Sequence, residues 1–312
     1  MTNRSAISWY LIIAFSLAWF LFILPIPFGS PNSPVRQTVT LITWSLAMWA
    51  PGLAAILVTR YVKKEKVRSL NLRRLGDRKA FLWAWLVPPL LVVIAGLLTW
   101  LLGAGTLDLS FSAIREAMAQ APGGDLVPPA GVVAIQILIS LTLAPLINTA
   151  LALGEELGWR GFLLPELLPL GQWRAILLSG VIWGLWHAPA ILQGHNYPNN
   201  PVLGVFLMVV FTVLVGAFFS WIYLRTRSPW APALGHGSLN ATAGLPLLFL
   251  TDVNMTVGGT LASMIGWIPI AVLVGWLVWS RRLPVDLAKI DGKTGSDAQG
   301  QVEVSRETYP AG

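Results

Sequence analysis

Six side chains in this sequence have the types and spacing to do chemistry in an apolar setting: Glu155, Glu156, Arg160, His187, His236 and Asn240. Glu156 and Arg160 are four apart, so on a helix they share a face and can pair. Glu155 points about 100° away from Glu156 around that helix. One carboxylate can therefore be tied to Arg160 while its neighbour faces elsewhere, free to act as a general base or acid. A charged cap at a helix end would account for the two glutamates equally well. His187 follows Trp183, Leu185 and Trp186 in an apolar run, where a backbone carbonyl would also satisfy a lone histidine. His236 and Asn240 are again four apart and share a face. Two of the three histidines thus sit in apolar runs, each placed where the carboxylates can use it. The third, His195, lies beside Asn196, Tyr197, Asn199 and Asn200 and reads as a solvated loop residue.

The elements that must position these groups are membrane helices. The chain has 312 residues, 55% hydrophobic and 11% charged, with a mean hydropathy of +0.67. A soluble domain carries about 25% charged residues, so the deficit places this chain in the bilayer. Cysteine is absent, which excludes disulfides, thiolate metal sites and a cysteine nucleophile. A spanning helix needs about 20 mostly apolar residues. The sequence predicts an all-α polytopic protein with eight such spans, at 7–24, 38–59, 81–102, 131–153, 174–191, 202–224, 229–248 and 260–280. The transmembrane domain is 1–282, the motif-bearing core 145–245, and 283–312 a polar, disordered cytoplasmic tail. The 103–130 segment reads as a large outside loop with a short helix near 111–120.

Charge sets the expected orientation. Nine Lys and Arg lie between Arg60 and Lys79. With that loop cytoplasmic, both termini are inside, and 19 of the 21 Lys and Arg fall on that side, Arg160 included; only Arg36 and Arg115 fall outside. Topology therefore explains the net charge of +7, and nucleic acid is not expected as a partner. Membrane lipid is. The short tail and simple loops suit a bacterial plasma membrane.

The residues taken in order, Glu155-Glu156-x-x-x-Arg160, Trp183-x-x-x-His187 and His236-x-x-x-Asn240, resemble the CPBP family of CAAX prenyl proteases and bacteriocin-processing proteins, also called Abi. The family's second motif has Phe where this chain has Trp183. The resemblance implies an eight-helix intramembrane protease whose site opens toward the cytoplasm and whose substrate is a peptide or protein, in some members a membrane-anchored one. Carried over by position, Glu155 with His187 activates a water, His236 and Asn240 stabilise the oxyanion, and Glu156 and Arg160 orient the site. That set satisfies peptide hydrolysis, which needs a base for water, an oxyanion donor and an acid for the leaving amine. A zinc site on Glu155, His187 and His236 and a metal-free glutamate mechanism are both compatible with these residues. Two other readings use the same side chains: a proton-coupled transporter, and a non-proteolytic scaffold or immunity protein on the same fold.

One expectation is geometric. Glu155 ends its predicted span near the cytoplasmic side, while His187 lies 13 residues past Arg174, about 20 Å along a helix. The groups meet only if the 161–173 segment lies along the interface and Glu155 is sunk into the membrane.

Overall fold

A computed structural model describes residues 2–119, 128–288 and 290. Its helices are α1 Arg4–Ile23, α2 Pro34–Ala47, α3 Ala50–Leu57, α4 Arg78–Leu101, α5 Ser112–Ala119, α6 Pro129–Leu141 and α7 Leu143–Gly158. They continue as α8 Leu164–Leu167, α9 Gln172–Trp186, α10 Ala188–Leu192, α11 Pro201–Thr226, α12 Trp230–Thr242 and α13 Trp267–Trp279. Two short strands, β1 Thr106–Leu107 and β2 Leu250–Thr251, pair antiparallel.

This is a helical, multi-pass membrane protein. Among the described residues, four helical stretches are long and apolar enough to cross a bilayer: Arg4–Phe28, Pro34–Val62, Arg78–Leu101 and Pro201–Thr226. A fifth is the pair α6 and α7, joined at a bend of 46°. Of the eight spans expected, the runs 174–191, 229–248 and 260–280 give shorter helices, of 15, 13 and 13 residues. In the first of these, Pro189 lacks the N–H that would continue α9, and the chain breaks at His187.

The two ends of the bundle are easily told apart. At one end, Lys63 pairs with Glu166 at 2.6 Å, Asp77 with Arg225 at 2.9 Å, and the Trp230 indole N–H donates to the Leu72 carbonyl. We call this the basic end. At the other, Arg36 donates to Gln193, Asn200 to Thr256, and β1 meets β2. Helix α5 lies at this second end, where the short helix near 111–120 was expected. The polar tail was expected from 283. Leu283 and Val285 are instead buried, and Gln172 bonds both the Val285 N–H and carbonyl. The remainder of the expected tail, from 291, lies outside the described residues.

Helix α7 is the centre of the bundle, packed against α12 on one side and α3 on the other. Small residues permit the contacts, as they do where helices associate without a hydrophobic driving force. A Cβ on Gly154 would meet the Met48 carbonyl oxygen and Trp49 Cα, each at 2.6 Å. A Cβ on Gly237 would meet Thr149 N at 2.6 Å. Because these neighbours are backbone, they cannot swing aside. Gly154→Ala is therefore expected to destabilise the protein by about 1–3 kcal/mol, the usual cost of overpacking. Thermal unfolding in detergent checks this, with Gly275→Ala as the control, since a Cβ on Gly275 has nothing within 4 Å.

Candidate active site

Glu155 and Glu156 do not cap a helix. Helix α7 runs past them and continues through a π turn, Trp159–Leu163, into α8. Such turns recur at functional sites. Glu155, Glu156 and Arg160 are therefore buried, at 2%, 0% and 1% exposure. This corrects the placement of Arg160 among the cytoplasmic cations: it lies inside the bundle. Glu155 and His187 nevertheless line one cavity.

The two carboxylates have separate partners, as their angular offset suggested. Glu156 Oε1 accepts from Arg160 Nη1 at 2.7 Å and from His236 Nδ1 at 3.0 Å. The Arg160 guanidinium lies over the Trp183 ring at 4.3 Å and near Phe219 at 5.4 Å. Glu155 Oε2 accepts from the Trp183 indole N–H at 2.7 Å, with the Trp159 indole at 3.4 Å. One turn beyond Trp183, the His187 Nδ1–H donates to the Trp183 carbonyl at 2.9 Å. Trp183 thus touches Glu155 with its side chain and His187 with its backbone.

These bonds set the tautomers. A carbonyl and a carboxylate can only accept, so Nδ1 carries the proton in both His187 and His236. Each neutral ring then presents an Nε2 lone pair. His187 is arranged as a base. His236 becomes a donor through Nε2 only when doubly protonated.

A cavity of about 750 Å³ is lined by Glu155, His187, His236 and Asn240 together. Asn240 is exposed and His187 half-buried there. Glu156 and Arg160 do not line it; they stand behind it. Its walls are mostly apolar, including Phe22, Trp44, Met48, Phe211, Leu239 and Leu261. Tyr10, Trp159, Phe162 and Leu163 are buried nearby, with Tyr10 stacked on Phe162 at 4.8 Å. Its mouth carries Pro31, Arg36, Gln37, Gln193, His195 and Asn196. His195 is exposed there, edge-on to Trp44 at 5.3 Å. It was read as a solvated loop residue apart from the site, and it lines the same cavity as His187.

Arg36 and Gln193, which bond each other at the end away from the Arg60–Lys79 segment, are among the residues that line the cavity.

The zinc alternative can be tested on the donors. A catalytic zinc takes three protein ligands and keeps one position open. Among the described residues, no three His, Asp or Glu side chains converge to hold a metal ion. The hydrogen bonds engage Nδ1 of His187 and His236 and Oε2 of Glu155, leaving both Nε2 lone pairs without a bond to the protein, and no step below uses a metal.

Two contributors escaped the sequence reading. At Trp183, where the family's motif has Phe, the indole adds a donor that Phe lacks. Trp159, four residues after Glu155, carried the same signal. Hydrogen bonds to charged groups contribute about 1.5–3 kcal/mol. Trp183→Phe is accordingly expected to lower kcat roughly tenfold or more, with KM and the thermal midpoint little changed. Steady-state kinetics alongside unfolding curves check it.

A buried glutamate and a half-buried histidine thus share a mostly apolar cavity in a helical, multi-pass membrane protein. Comparison with known proteins agrees. The family model "Type II CAAX prenyl endopeptidase Rce1-like" matches residues 129–242, which contain all six of the residues first singled out. The chain is similar to CAAX prenyl protease 2 of Arabidopsis thaliana, 26% identical over 294 residues, covering 86% of this chain and 90% of the relative. It is also similar to CAAX prenyl protease 2 of Methanococcus maripaludis, 32% identical over 78 residues, covering 23% of this chain and 29% of the relative. These matches show that the chain is similar to CAAX prenyl endopeptidases, with the family model falling on the motif-bearing region.

Proposed function

We propose that this protein is an intramembrane endopeptidase that hydrolyses a peptide bond with a water activated by Glu155 and His187. The observation that carries the reading is the single cavity shared by Glu155, His187, His236 and Asn240. In it, Glu155 takes the proton of the attacking water while the His187 Nε2 lone pair orients that water. Asn240 donates to the oxyanion of the tetrahedral intermediate, joined by His236 when its ring carries both protons. Glu155 then returns the proton to the leaving amine. Glu156 and Arg160 touch none of the reacting atoms; they hold His236 and Trp183 in place.

The apolar walls suit a peptide presented at the membrane by a lipid or helical anchor. The names of the relatives point to a prenylated CAAX peptide as one such substrate. A bacterial plasma membrane is the setting we propose.

The test is a comparison of newly formed peptide termini in membranes of cells carrying wild type, Glu155→Gln or His187→Ala. Termini produced only by wild type are expected. Identical sets from all three would remove the protease reading.

A further inference from the structure

We infer that a second cleft, at the basic end of the bundle between the Lys63–Arg74 segment, α8 and the end of α11, is a binding site for a phosphate-bearing anion. Such a group has two sources at this level: the headgroup of an anionic phospholipid and a soluble phosphate. The cleft shares no lining residue with the cavity of Glu155 and His187.

The cleft encloses about 350 Å³, within the size range of small-ligand sites. Three cations line it, Lys63, Arg74 and Arg227, against two carboxylates, Glu65 and Glu166. The Lys63 ammonium engages both carboxylates, at 3.2 and 2.6 Å. The arginines gather instead around a buried phenol. The Tyr223 side chain bonds that of Asn71, and Arg74 and Arg227 both lie near its hydroxyl. The backbone fixes where the two arginines stand. Asn71 ends the 3₁₀ turn Val67–Leu70 in the left-handed conformation, and its carbonyl accepts from the Arg74 N–H at 3.0 Å. Arg227 ends α11 in the same conformation, with its N–H bonded to the Tyr223 carbonyl at 2.6 Å. Guanidinium forks match phosphate oxygens in both geometry and charge, and a phenol and an amide add neutral donors. Depth favours the lipid source. Tyr223 lies close to the end of the apolar stretch Pro201–Thr226, so the cleft sits at headgroup level. Basic pockets between spanning helices at that level take anionic headgroups. Glu65 and Ser69 on its lining are exposed, so a soluble anion also has access.

Purified protein in detergent is titrated with short-chain phosphatidylglycerol, with sodium phosphate at constant ionic strength, and with short-chain diacylglycerol, which lacks the phosphate. The thermal midpoint reads binding, because a ligand of the folded state raises it. Wild type is expected to show a saturable rise with phosphatidylglycerol and none with diacylglycerol. Arg74→Gln is expected to weaken the apparent Kd about tenfold or more, through loss of a charge-assisted pair. Ser69→Glu places a like charge on the lining at an exposed position and is expected to weaken binding too, so the test does not hang on one variant's folding. Arg73→Gln removes a charge from the same segment outside the cleft and is expected to leave the Kd unchanged. A saturable rise with sodium phosphate and none with phosphatidylglycerol, lost in the same two variants, supports the site and assigns it to soluble phosphate. The inference is overturned by no saturable rise with either phosphate-bearing probe, by a rise that diacylglycerol matches, or by a Kd that is equal in wild type, Arg74→Gln and Ser69→Glu. A loss as large in Arg73→Gln overturns it as well. The titration needs no catalysis, so its outcome is independent of the peptidase reading.

Discussion

Glu155→Gln is expected to abolish peptide hydrolysis, with a fall of about 10²–10⁴-fold in kcat, the range for loss of a general base. The substitution keeps the size and both polar atoms of the side chain. The Trp183 and Trp159 indoles, which donate to Oε2, retain an oxygen to donate to. Packing is therefore preserved and the thermal midpoint should hold within a few degrees. What is lost is the carboxylate that accepts the water's proton. A large loss of rate without loss of fold is the signature that separates a reacting group from a structural one. Measured kcat and unfolding curves for the purified variant check both halves.

Arg160→Met is expected to act in the opposite manner, on stability first. Removing one partner of a buried ion pair costs about 3–5 kcal/mol, because the other charge is left in a dry interior. Here that charge is Glu156, fully buried and bonded to Arg160 at 2.7 Å. Methionine restores apolar volume but supplies no donor. The guanidinium also covers Trp183, so its loss frees the indole that holds Glu155. A drop in unfolding midpoint of roughly 10 °C in detergent follows from that energy. Combining Arg160→Met with Glu156→Gln should return part of the stability, since the uncompensated carboxylate is then gone. Strict additivity of the two would contradict the pairing.

How much of this was legible in sequence differs by feature. The six chemical residues could be named from type and spacing, because helical periodicity translates i and i+4 into a shared face. The division of labour between Glu155 and Glu156 followed from the same rule. Depth did not. Whether Glu155 caps a helix or lies inside one depends on α7 continuing through the Trp159–Leu163 turn, and the flanking Leu157, Phe162 and Leu163 are as compatible with an interface as with a core. Helix lengths differ from the hydropathic runs for a related reason: hydropathy does not register that His187 and Pro189 end α9, or that α12 stops at Thr242. The outline of the cavity was beyond the sequence altogether. It depends on α2, whose Gln37, Thr40, Leu41 and Trp44 wall the mouth while the helix packs chiefly on α1. The Trp183 donor was legible in principle, since an indole N–H four residues before a buried histidine has to be satisfied somewhere.

The account's central claim is that Glu155 and His187 act on one water in one cavity. Groups that act as a unit are grossly non-additive. Once the wild-type termini have identified a substrate, its cleavage rate by wild type, Glu155→Gln, His187→Ala and the double variant tests the claim directly. Each single variant is predicted to lose about 10²–10⁴-fold, and the double variant little beyond the worse of the two. Losses that multiply in the double variant, or a single variant within tenfold of wild type, would contradict it.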